Sequence, residues 1–114
     1  MDQDKMIERI KSGEPLIDIT IDKWKDIANG TGFSLGVANC ALCYQYIRET
    51  CKNCPIYKFT GFRSCDNTPF RDWFIHYMEI HYEDGSDTRE CVICKSIANR
   101  EVEFLKQVKS KAFL

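Results

Sequence analysis

Apolar positions along this chain fall mostly at helical spacing. Met6, Ile7 and Ile10 predict a first helix over residues 2–12, with Gly13 as its stop. The next stretch reads differently. Ile17, Ile19 and Ile21 alternate with Asp18, Thr20 and Asp22, which predicts a short strand or an extended lead-in, because one strand alone makes no stable sheet. Asp22 is the expected N-cap of a short helix through Trp24, Ile27 and Ala28, closed at Gly30. Residues 30–36 hold three glycines and predict a loop.

The period breaks over residues 40–67, which contain five cysteines, Pro55 and Gly61. One or two helical turns are expected from Cys40 to about Arg48, with loop beyond. Periodicity returns at Thr68-Pro69, where Thr suits the N-cap, Pro the first helical position and Asp72 the first turn. Phe70, Trp73, Phe74, Tyr77, Met78 and His81 then recur at three and four, so this helix should reach Tyr82. Glu83-Asp84-Gly85-Ser86 reads as a turn. Asp87, with Glu90 three residues later, resembles a capping box for a last helix reaching about Lys109. Cys91, Cys94, Ala98, Val102, Leu105 and Val108 form the apolar stripe of that helix. The expected architecture is a mostly α single domain over residues 1–114. It comprises a helical N-terminal lead-in (1–36), a cysteine metal-loop region (37–67) and a C-terminal helical hairpin (68–111) on which the loop region packs.

Composition sharpens this picture. The 114 residues suit one domain, and 44% apolar with 29% charged residues is a globular balance. No apolar run is long enough for a transmembrane helix. No signal-type segment opens the chain, and a reducing cytoplasm is the expected location. In that setting seven cysteines in closely spaced pairs predict metal ligation rather than disulfides, and their odd number suits a full disulfide framework poorly. Net charge is −1, with an acidic block over residues 76–94, far from the basic signature of a dedicated nucleic-acid binder.

Cys40-x-x-Cys43 and Cys51-x-x-Cys54 are two pairs whose thiolates can each reach one ion from a tight turn, and two such pairs complete a tetrahedral zinc site. Cys65 is a fifth candidate. Cys40 and Cys43 are expected ligands, with two of Cys51, Cys54 and Cys65 completing a closed structural site. An iron–sulfur cluster is the alternative, suggested by Cys54-Pro55. Cys91 and Cys94 repeat the spacing on the apolar stripe of the last helix, where small core residues are the expected reading and a second half-site or a redox pair the functional ones. His76 and His81 are five apart, which does not align them on one α-helical face, so packed or surface histidines are expected. Glu79, Glu83, Asp84 and Asp87 read as a solvated helix end. Tyr44, Tyr46, Tyr57, Phe59, Phe62, Phe70, Trp73 and Phe74 are expected to build a core around the loops. With Lys52, Lys58, Arg63 and Arg71 they offer the one patch suited to stacking bases and contacting phosphates. No nucleophile motif or phosphate loop is present, so the chain is not expected to be an enzyme.

The combination of Cys40-x-x-Cys43, Cys51-x-x-Cys54-Pro55, Thr60-Gly61, Cys65, Thr68-Pro69 and Trp73 resembles a group of small uncharacterised cysteine-rich proteins of bacteria, archaea and their viruses. The likeness covers residues 38–75 and implies a shared metal-loop module, with no activity to transfer. Cys91 and Cys94 fall outside it. The functional expectation is a zinc-stabilised, non-enzymatic binding module for a protein or nucleic-acid partner, with no membrane role. The alternative is a redox or electron-transfer protein with an iron–sulfur centre.

Overall fold

The first helix begins where Asp2 accepts the Lys5 backbone N–H at 2.8 Å, and α1 runs over Gln3–Lys11 before Gly13 turns the chain at φ +89°. The computed structural model describes residues 1–35, 39–46, 52–62, 65 and 67–112. The alternating isoleucines that predicted a strand or lead-in lie instead in α2 (Leu16–Ala28), with Pro15 at the N-cap. The reason is burial on two sides. Ile17, Ile21, Trp24 and Ile27 recur at four and three and enter the main core, while Ile19 packs with Met6 and Ala41 in a second cluster. A helix buried on both faces reads as alternation in its first turns. Asp22 is accordingly mid-helix and no cap: its carboxylate pairs with Arg9 at 2.7 Å, and Arg9 also holds Glu14 at 2.7 Å.

The loop after α2 is held by Asn39, which is buried. Its Nδ2 donates to the Met1 and Phe33 carbonyls, and its Oδ1 accepts the Leu35 N–H at 2.8 Å. Then comes α3 (Ala41–Tyr46). The stretch expected to be loop contains a further helix, α4 (Pro55–Thr60). Pro55 takes the first helical position after Cys54, and Gly61 closes the helix at φ +79°, a conformation glycine adopts without strain.

Thr68-Pro69 does open a helix, α5 (Pro69–His76), but the Thr68 hydroxyl donates to the Cys65 carbonyl at 2.6 Å and does not cap it. The Phe70 N–H is met instead by the carboxyl of Glu101. After His76 the helix widens into a π turn (Tyr77–His81), where the Tyr82 N–H reaches back five residues to the Tyr77 carbonyl, and ends in α6 (Tyr82–Asp84) with Gly85 at φ +66°. Asp87 caps a short 3-10 turn (Thr88–Glu90) by accepting the Arg89 N–H, so the expected capping box does not open the last helix. That helix, α7 (Val92–Ala112), starts after Cys91.

The long helix α7 is the spine: α2, α4 and α5 all pack on it. Its predicted stripe holds, with Cys94, Ala98, Val102, Leu105 and Val108 buried against Ile17, Ile21, Trp24 and Trp73. The fold is thus mostly α, with no strand among the described residues. No described helix is long and apolar enough to cross a membrane. The expected aromatic core divides: Trp73, Phe70, Tyr46 and Tyr57 join it, whereas Tyr44, Phe59, Phe62 and Phe74 are exposed. The acidic residues Glu79, Glu83, Asp84 and Asp87 are exposed, as expected of a solvated helix end.

Candidate metal centre

The π turn changes what a spacing of five means. In an α-helix, residues five apart point roughly 140° away from each other. A π turn closes i→i+5 bonds and brings them to one side. His76 and His81 bracket this turn, and their Nε2 atoms stand 3.2 Å apart. They are packed as expected, His81 buried and His76 half-buried, but the turn brings the two rings together, which a spacing of five in an α-helix does not. An aromatic ladder fixes His81: Trp24 meets Trp73 edge-on at 5.7 Å, Trp73 stacks on Tyr77 at 5.6 Å, and Tyr77 stacks on the His81 ring at 6.3 Å.

The hairpin then returns two thiols to the same point. Cys91 precedes the first turn of α7, and Cys94 lies within it. The Cys91 Sγ is 3.5 Å from His76 Nε2, and the Cys94 Sγ is 3.2 Å from His81 Nε2. All four ligand atoms lie within 4.8 Å of one another. The edges of a tetrahedron around zinc, built from bonds of about 2.0–2.3 Å, are roughly 3.3–3.8 Å. The observed spacings need little adjustment to surround an ion. The Ser86 hydroxyl is hydrogen-bonded to His81 Nδ1 at 2.6 Å, which leaves Nε2 turned toward the thiols. His81 is 5% exposed and Cys94 is fully enclosed, while His76 and Cys91 are half-buried. This His2Cys2 cluster could hold a metal ion, and its Cys94 is at the same time a buried core residue, as expected of the apolar stripe.

The two thiols differ sharply. Burial works against the Cys91 thiolate, but the Cys94 backbone N–H and hydrogen bonds from His76, His81 and Cys94 outweigh it and hold Cys91 at about 6. Burial, with the neighbouring Cys91, pushes Cys94 up to about 12. Cys91 is therefore ready to ligate, and an ion would draw the proton off Cys94.

The described cysteines singled out by spacing within residues 40–67 are not part of this cluster. Cys51 falls outside the described residues, as do Arg48 and Arg63. Cys40 and Cys54 are buried in the main core, and Cys43 and Cys65 pack against it. A hydrogen bond from Cys43, assisted by the charge of Lys23, overcomes burial and holds the Cys40 thiol down at about 6, while the same bond and burial raise Cys43. The charge of Cys65 also reaches Cys43.

Two buried charged residues that the sequence did not single out face these cysteines. Lys23 is 2% exposed, with its Nζ 5.1 Å from the Trp24 ring centre, and burial lowers its pKa. Glu101 is also 2% exposed, burial pushes its carboxyl up to about 7, and its Oε2 finds no hydrogen-bond partner among the described residues. The only sequence signal for either is position. Lys23 adjoins Trp24 on α2, and Glu101 sits next to Val102 on the α7 stripe.

Comparison with protein-family models, curated proteins and solved structures finds no match to this chain.

Proposed function

We propose that this chain is a non-enzymatic binding module whose fold is held by zinc. The observation that carries the reading is the closed His76–His81–Cys91–Cys94 cluster. Two imidazole nitrogens and two thiols are a borderline-soft tetrahedral donor set, which favours zinc over the hard cations magnesium and calcium. Four protein donors leave no open position for a water, which supports a structural rather than a catalytic ion. The ion would pin the acidic hairpin tip, with Ser86 and the aromatic ladder orienting His81.

The surface beside the cluster favours a protein partner. Phe74, Met78 and Tyr82 recur along the exposed side of α5 and the π turn, and Val92 and Ile93 stand exposed at the start of α7, Val92 at 78%. Exposed apolar groups on the segments that carry the cluster suit a contact surface. The acidic residues around them disfavour nucleic acid. Six cysteines outside any disulfide among the described residues suit a reducing cytoplasm. Membership of the cysteine-rich prokaryotic and viral group is part of the same proposal.

A redox role is the second reading, favoured by the contrast between a Cys91 thiol held at about 6 and a Cys94 thiol raised to about 12 across a Cys-x-x-Cys turn. Metal analysis of the purified chain, thiol labelling with metal bound, and DNA and RNA binding at two salt concentrations test these readings. Stoichiometric zinc, unreactive Cys91 and Cys94, and no salt-sensitive binding support the zinc-held protein-binding module. A reversible thiol couple in the metal-loaded chain, or an affinity that falls steeply with salt, overturns it.

A further inference from the structure

Every residue of the His2Cys2 cluster has an exposed apolar neighbour in the chain. Ile75 precedes His76, Ile80 and Tyr82 flank His81, and Val92 and Ile93 fill the two positions between Cys91 and Cys94. The four ligand atoms lie within 4.8 Å of one another, so the backbone carrying these five residues is drawn to one place. Apolar exposure is concentrated there. Of twelve large hydrophobic residues exposed among those described, seven lie at 74–82 and 92–93. Such a concentration suits a surface that another molecule covers.

The charge around these residues bears on what covers them. Residues 76–94 hold five carboxylates and one cation, Arg89. Arg89 is engaged with Asp87 at 2.9 Å, whereas Glu79, Glu83, Asp84 and Glu90 are exposed and make no salt bridge with any described residue. Other carboxylates of the surface are met by cations of the chain itself: Arg9 holds Glu14 and Asp22, Lys109 holds Asp18, and Arg100 holds Asp72. The cluster does not supply the missing positive charge, because two thiolates and two neutral imidazoles around a divalent ion are neutral overall. The uncompensated carboxylates also adjoin the apolar residues and the ligands. Glu79 precedes Ile80, Glu83 follows Tyr82, and Glu90 precedes Cys91. A partner with cations beside its apolar groups complements this surface, and an anionic one is repelled by it.

We propose that this face docks an amphipathic segment of a partner protein, apolar along one side and flanked by Lys or Arg. The inference rests on the binding-module reading and names the chemistry of that module's partner. Ile75, Ile80, Tyr82, Val92 and Ile93 cover the apolar side of the segment, and Glu79, Glu83 and Glu90 meet its cations.

The test is fluorescence anisotropy of the zinc-loaded full chain with three labelled peptides of about 18 residues, five helical turns each. One is built of Leu and Lys with Leu along one helical face, one replaces its Lys by Glu, and one scrambles the Leu and Lys so that no face remains. The first should bind about tenfold or more tighter than the other two. Exposed ion pairs are individually weak, so three carboxylates are changed together: Glu79→Gln with Glu83→Gln and Glu90→Gln should weaken that peptide about tenfold. Val92→Ser with Ile93→Ser should cost about tenfold or more. Both variants should keep the zinc content of wild type. Asp4→Asn with Glu8→Gln, and Phe62→Ser, change exposed residues that adjoin no ligand and should stay within about twofold of wild type. Equal affinity for the Lys and Glu peptides, or losses no larger in the hairpin variants than in these controls, overturns the proposal. Tighter binding to single-stranded DNA or to vesicles of anionic lipid than to the Leu and Lys peptide overturns it as well. Zinc is assayed in the same samples. Full zinc without discrimination among the peptides removes the partner and leaves the zinc reading standing, whereas discrimination by a chain that takes no zinc supports the partner and removes the zinc reading alone.

Discussion

The π turn makes a prediction about register. His76 and His81 meet because Tyr77–His81 absorbs one residue more than an α-helix would. Removing Glu79, an exposed residue inside the turn, shortens the spacing to four. At about 100° per residue the two imidazoles would then lie roughly 40° apart, still on one face, and the helix can return to ordinary i→i+4 bonding. Inserting an alanine after Glu79 makes the spacing six, and regular α-helix would then set the rings roughly 120° from alignment. The deletion should therefore bind one ion at the His2Cys2 site with an affinity within about threefold of wild type. The insertion should lose about 100-fold or more, comparable to the upper range for disturbing a site's supporting shell. Competition with a coloured zinc chelator measures both, in a chain carrying Cys40→Ser and Cys43→Ser so that only this site is read. If deletion abolishes binding as fully as insertion does, the phase argument is wrong, and the wide turn itself must orient His81.

Four further outcomes follow from the same structure. With zinc at about 100 times its dissociation constant, wild type should gain about 2.7 kcal/mol, roughly 10 °C in melting temperature, and Cys94→Ser should show no such gain from the His2Cys2 site. Ser86→Ala, which removes the hydroxyl bound to His81 Nδ1, should weaken zinc about tenfold without altering the urea midpoint of the metal-free chain. Asn39→Ala strips partners from the Leu35 N–H and from the Met1 and Phe33 carbonyls, so urea unfolding should show a loss of about 2–4 kcal/mol. The buried Glu101 carboxyl is raised from 4.5 to about 7, so its protonated form favours the fold below pH 4.5 and that advantage is lost as pH rises through 7. In chelator Glu101→Gln should therefore match wild type near pH 4 and exceed it at pH 8 by up to about 3 kcal/mol, and a difference independent of pH would refute the assignment.

The apolar stripe of α7 was legible because Cys94, Ala98, Val102, Leu105 and Val108 are buried on one side only, the case in which helical period and burial coincide. The helix α2 was not, because Ile19 feeds one cluster while Ile17 and Ile21 feed another, so burial on two faces imitates a strand. The helix α4 was hidden by its neighbours: cysteine, proline and glycine around six residues read as loop, although Pro55 and Gly61 are the start and stop signals of a short helix. In each case tertiary burial, which a local pattern does not contain, decided the outcome.

The candidate metal centre shows the same limit more sharply. Cys91 and Cys94 carried the right spacing, and His76 and His81 the right chemistry, yet the α-helical period assigned the histidines to different faces. One π turn reverses that assignment, and no propensity in Tyr77-Met78-Glu79-Ile80 announces it. What holds the turn open is its surroundings. Trp73 and Tyr77 are stacked under His81, and Trp73 is itself locked against Trp24 on α2. The ring that would ligate the ion is thus positioned by a helix some sixty residues earlier in the chain. The candidate site is a product of the assembled core: ligand spacing alone offered Cys91 and Cys94 as a half-site and could not supply the two histidines that complete it.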